Sequence, residues 1–184
     1  MKRLLPLILG LLLLSVTVFA KESKPELTDI IITTSESNLL LFATVQNGFI
    51  QEMIDALHSG LPLRFTYAIR LHQIRGLWLD KELADLSITR VLSYDSLKEK
   101  YRIQHEDNNQ VVTTSSLTEA KQLMTELNGV EIIALSQLIP DAPYTLELKA
   151  TLEENTLPLG MHYVLPFTSL WNIETDWRTI EFRY

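Results

Sequence analysis

From Leu61 to His72 the chain alternates without a break, with Leu61, Leu63, Phe65, Tyr67, Ile69 and Leu71 interleaved with Pro62, Arg64, Thr66, Ala68, Arg70 and His72. Successive side chains of a strand point to opposite faces, so a period of two over this length means a long strand with one buried face. Such a strand needs a second apolar layer to cover it, which already excludes a helical bundle. The same period returns at Tyr144, Leu146, Leu148, Ala150 and Leu152, which alternate with Thr145, Glu147, Lys149 and Thr151. It is weaker from Ala84 to Tyr94, where Leu86, Ile88, Arg90 and Leu92 share a phase, and it closes the chain at Ile180, Phe182 and Tyr184.

The intervening segments supply shorter elements. Asp29–Thr34 and Asn38–Gln46 flank the polar Ser35-Glu36-Ser37 as a hairpin, and Tyr101–His105 and Gln110–Thr114 flank Glu106-Asp107-Asn108-Asn109 as another. Val130–Leu135 reads as one more strand. Ile50, Ile54 and Leu57, with Phe49 and Met53, place an amphipathic helix within 48–59 that Gly60 and Pro62 end. Ser116 with Glu119 forms a capping box, and Leu117, Ala120, Met124 and Leu127 carry a second helix to Asn128-Gly129. Eight to ten strands with two short helices in the connections, and no regular strand-helix alternation, predict a mainly β (α+β) fold. The expected form is an antiparallel two-sheet β-sandwich, immunoglobulin- or transthyretin-like in general character; a single curved sheet around the helices is the alternative.

The first twenty residues differ in kind. Lys2 and Arg3 precede the apolar run Leu4–Leu14, and Val18 and Ala20 stand at the small-residue positions of a cleavage site, so 1–20 reads as a secretory signal peptide. An uncleaved anchor holding the chain at the inner membrane is the alternative, although the run is shorter than the roughly 20 residues that span a bilayer core. Residues 21–27 are expected to be a flexible lead-in and 28–184 a single exported, periplasmic domain with no stable membrane span after cleavage. Lys+Arg 16 against Asp+Glu 23 gives a formal charge of −7, and removal of Lys2 and Arg3 takes it to −9. An acidic protein lacks the basic face that nucleic acid requires. There is no cysteine, so thiol catalysis, thiolate zinc sites and disulfides are excluded.

Other chemistries leave no trace. No Gly-x-Ser-x-Gly turn is present, the four histidines at 58, 72, 105 and 162 form no metal-binding pair, and the glycines never cluster into a phosphate loop. The adjacent carboxylates Glu106-Asp107 and Glu153-Glu154 fall in expected turns. We therefore expect no catalytic residue, no metal and no cofactor. The candidate binding residues are Arg64 and Arg70 on the polar face of the long strand, Arg75, Trp78 and Asp80 where it ends, and Trp171 and Trp177. Arg can hold a carboxylate or phosphate in bidentate fashion while Trp stacks on a ring or side chain. The structural reading of the same residues is cross-strand pairing with acids and Trp plugging of the core.

The order of Leu61-Pro62-Leu63-Arg64-Phe65-Thr66-Tyr67, Arg75-Gly76-Leu77-Trp78-Leu79-Asp80 and Tyr94-Asp95 with Leu97 and Tyr101 resembles the proteobacterial domain-of-unknown-function family 4390. Tyr144–Leu152, Leu157-Pro158 and the Trp171 and Trp177 pair are similar to its closing pattern. Leu77 departs from it, standing where a second aromatic is expected. The resemblance implies an exported Gram-negative protein with a link to envelope signalling, and no activity or ligand. The functional expectation is a non-enzymatic periplasmic binding or protein-interaction module, its partner an envelope protein or small ligand. The alternative is a carrier or sensor of a small apolar ligand held between helix and sheet.

Overall fold

The computed structural model describes residues 24–154 and 173–184. The signal expected at 1–20, the break at Leu157–Gly160 and Trp171 lie outside them. In chain order the elements are β1 (Glu26–Thr34), β2 (Asn38–Gln46), α1 (Gln51–His58), β3 (Leu63–Gln73), β4 (Lys81–Asp95), β5 (Lys100–His105) and β6 (Val111–Thr114). They continue with α2 (Leu117–Thr125), β7 (Glu126–Ala134), β8 (Pro143–Glu154), β9 (Ile173–Glu174) and β10 (Arg178–Arg183).

These form two antiparallel open sheets, one of three strands in the order β1-β2-β7 and one of seven in the order β10-β8-β3-β4-β5-β6, with β9 paired to β8. The fold is mainly β with two short helices, as the alternation requires. The inward phase of β3, Leu63 through Leu71, is buried throughout and sits between Leu146, Leu148, Ala150 and Leu152 of β8 and Ile88 and Leu92 of β4. Leu39, Leu41, Ala43 and Val45 of β2 bring the smaller sheet into the same core. Three strands cannot cover seven, and the helices fill the remainder. α1 buries Met53, Ile54, Ala56 and Leu57, while α2 buries Ala120 and Met124 and lies against β4, β5 and β6.

Local signals explain most boundaries. α1 ends in a Schellman motif, with Leu61 N–H donating to Ala56 O and Gly60 N–H to Leu57 O, both at 3.0 Å, and Gly60 takes the φ of +92° that this turn needs. At α2, Ser116 Oγ accepts Glu119 N–H at 3.3 Å, but the Glu119 carboxylate accepts from the Thr114 hydroxyl instead of returning to Ser116, so the expected capping box is half formed.

Two expectations need correction. β1 begins at Glu26, inside the segment expected to be flexible, because Leu27 is completely buried in the core and draws its neighbours into the ladder with Val45 and Gln46. The second helix stops at Thr125 and not at Asn128-Gly129. Leu127 continues the helical spacing, yet it is buried from a strand, because the last carbonyls of α2 are taken by side chains of the large sheet and the chain passes directly into β7.

Candidate functional site

The residues expected to form one surface fall into three places. Arg64 and Arg70 are six positions apart on β3, about 20 Å along the strand. Arg64 forms a bidentate pair with Glu106 at 2.7 and 2.8 Å on the outer face of the large sheet. Arg70 lies 3.7 Å from Asp85 on β4 and has its guanidinium 4.9 Å from the centre of the Trp177 ring. Lys149 reaches the same ring at 6.0 Å and pairs with Glu174 at 2.7 Å. These are cross-strand pairs of a solvated sheet face, each contributing about 0.2–1 kcal/mol. Trp177 does not plug the core: it is 40% exposed and lies against Arg70 and Lys149 on the sheet face.

Arg75, Trp78 and Asp80 do come together, in the turn from β3 to β4. Asp80 Oδ1 accepts the Arg75 N–H at 3.0 Å and closes the turn, while Ile74 N–H donates to Pro143 O at 3.0 Å and fixes its base. This geometry carries Leu77, Trp78 and Leu79 beyond the end of the strands, 94, 80 and 92% exposed, and none of the three joins the core. Three consecutive large apolar side chains in water are unfavourable at about 25 cal/mol per Å² of apolar surface, and here they form one exposed apolar run at a hairpin tip.

The third feature was missed as a site, although its signal is in the sequence: Arg90 falls in the apolar phase of its strand. In the fold it is 6% exposed, on the inner face of β4 beside Phe65. Nη1 donates to Leu123 O at 2.6 Å and to Glu126 O, and Tyr67 Oη donates to the intervening Met124 O at 2.6 Å. Together the two side chains satisfy the carbonyls that the end of α2 would otherwise leave unpaired, where a cation also meets the negative end of the helix dipole. Arg90 Nε is buried and has no hydrogen-bond partner among the described residues. Burial pulls the guanidinium below its ordinary value, opposed by Tyr67, Asp107 and Glu126. Burial likewise pushes the Tyr67 phenol well up, opposed by Arg90.

Arg90 stands on the wall of a cleft of about 580 Å³, which also meets His105, Asp107, Gln110 and Asn128 where the two sheets part. This is within the size range of ligand pockets. Burial, then Arg90, lowers the His105 pKa, with Asp107 opposing. A folded-state value below the unfolded one means that the neutral ring favours the fold. The contribution is present above about 6.5, the ordinary His value, and is lost as pH falls through the lower folded value. His105→Gln should therefore flatten the fall in stability below that pH, checked by urea unfolding at pH 7.5 and 5.5; an unchanged slope refutes it.

The comparisons add one decisive match. A family model described as a domain of unknown function, DUF4390, covers residues 22–181. The chain belongs to that family. No curated protein and no solved structure matches it. Within this DUF4390 domain, the segments on which the resemblance rested fall on β3, on the exposed tip from Arg75 to Asp80, on the β4–β5 hairpin, and on β8. Among the described residues no three of His, Asp and Glu gather as a metal site would need, and no helix is long and apolar enough to cross a membrane.

Proposed function

We propose that this DUF4390 domain is an exported, non-enzymatic binding module that docks an envelope protein through the β3–β4 hairpin tip. The supporting observation is the exposed Leu77-Trp78-Leu79 run, held clear of the core by a turn that Asp80 closes. Other strongly exposed apolar side chains among the described residues, such as Ile31, Leu97 and Ile139, stand singly, whereas here three run together, and Trp is a residue type enriched among the anchors of protein interfaces. The carrier reading is less well supported, because the helix faces it would need are engaged: Met53, Leu57, Ala120 and Met124 are all buried in the common core.

A photoreactive residue at position 78, crosslinked in living cells, should yield adducts with one reproducible envelope protein, and the same residue at the exposed Glu99 turn should not. Replacing Leu77, Trp78 and Leu79 together by Ser should abolish that capture while changing stability by no more than about 0.5 kcal/mol, as expected for surface positions. Equal adducts at 78 and 99, or none at 78, would sink the proposal.

A further inference from the structure

β4 is fifteen residues long, but β5 pairs only with its second half, from Arg90 to Asp95. Along the first half β4 has β3 on one side and, among the described residues, no strand on the other. Thr89 turns its carbonyl to Glu106 N–H at 2.9 Å. In an antiparallel ladder the backbone groups of every second residue face the same way, so the N–H and C=O of Ser87 and Asp85 face the open side. Opposite stands β7, the terminal strand of the small sheet, whose residues Asn128 to Glu131 form the other wall of the 580 Å³ cleft. Its register with β2 breaks at Gly129, which has a φ of +70°. Two strand edges thus flank one cleft, with Leu86, Ile88 and Val130 as its apolar lining. An uncovered edge of this kind is a template for another strand.

Charge selects the occupant. Asp107 and Glu131 both line the cleft, and among the described residues neither is ion-paired. The cationic Arg90 has Nη1 engaged with two carbonyls of the α2–β7 junction and its Nε enclosed, so it is committed to the fold and the charge the cleft still presents is acidic. The balance favours a cationic ligand. We propose that the cleft takes an extended basic peptide segment of a partner protein, added as a strand to the free edge of β4 at Ser87. Its cationic side chains meet Asp107 and Glu131. This is β-strand addition, in which the backbone ladder gives affinity and the side-chain contacts give selectivity. It rests on the reading of the chain as a binding module but not on the hairpin tip, so capture at position 78 and peptide binding at Ser87 fail separately.

The test uses random twelve-residue peptides displayed on phage and panned against the purified mature chain. Enriched sequences should alternate apolar residues with Lys or Arg, and their synthetic forms should protect the Ser87 and Asp85 amides from hydrogen exchange. Ser87→Pro removes an outward N–H and leaves the β3 ladder intact, a placement that edge strands tolerate. It should weaken binding by about tenfold or more. Asp107→Asn combined with Glu131→Gln leaves β4 untouched, so it keeps the test open should the proline variant fail to fold; it should weaken binding similarly and reduce its salt dependence. No enrichment, an acidic consensus, or undiminished binding to the Asp107/Glu131 variant would overturn the proposal.

Discussion

Replacing Arg90 by Met should lower the free energy of unfolding by about 2–4 kcal/mol, although Met is apolar and the site is buried. The usual argument that apolar residues can replace buried charges applies when both partners are removed together. Here the partners are the backbone carbonyls of Leu123 and Glu126, which no side-chain substitution deletes. Each acceptor left unpaired in the interior costs about 1–3 kcal/mol, and relief of the desolvated charge returns part of that. Tyr67→Phe removes the hydroxyl from Met124 O and should cost about 1 kcal/mol on its own. The two side chains serve successive carbonyls at one helix end, and the guanidinium lies 5.8 Å from the Tyr67 ring centre, so the double variant should be non-additive by at least about 0.5 kcal/mol. Urea unfolding of the four proteins measures this. A loss below about 1 kcal/mol for Arg90→Met would mean that α2 reaches its end without help from the sheet.

Phe65→Ala should cost about 3–5 kcal/mol, the range for deleting a large ring from a packed core. Phe65 is completely buried on β3, with Arg90 as its register partner on one side and Leu152 on the other, and its ring meets Phe49 at a 32° tilt with 5.0 Å between centroids. Phe65→Leu keeps most of the volume and should cost much less. The denaturant midpoint should fall with an unchanged slope, the sign that stability moved and the unfolded state did not. A cost for Phe65→Ala no larger than that of the Leu77, Trp78 and Leu79 replacement would contradict the division drawn between core and tip.

That division was legible in part. The period-two runs of β3 and β8 gave both the buried face and the need for a second layer, and Gly60 marked the end of α1 through a left-handed backbone conformation that residues with a Cβ rarely adopt. The site was less legible. Arg64 and Arg70 engage Glu106 and Asp85, because pairing brings acids from the β5–β6 turn and β4 beside a strand whose polar face is basic, and Trp177 lies against Arg70. No one-dimensional pattern contains that register. Trp78 stands out in the sequence as an aromatic beside the strand end, but only the turn closed by Asp80 makes it an exposed tip. Arg90 carried the opposite lesson: a cation in the apolar phase of a strand is a local contradiction, and such conflicts tend to mark special sites.

The amino-acid order by itself determined that the chain builds two-faced antiparallel strands and two short helices, because side-chain alternation and turn residues act over a few positions. It also determined, through the absence of cysteine, that apolar packing must hold the domain together. The tertiary structure decided where the helix before β7 stops, which strand edges stay open and which charges meet. Those outcomes depend on groups far apart in the chain, such as Arg90 with Leu123 or Arg70 with Trp177, whose encounter is set by strand register and sheet packing and by no local rule.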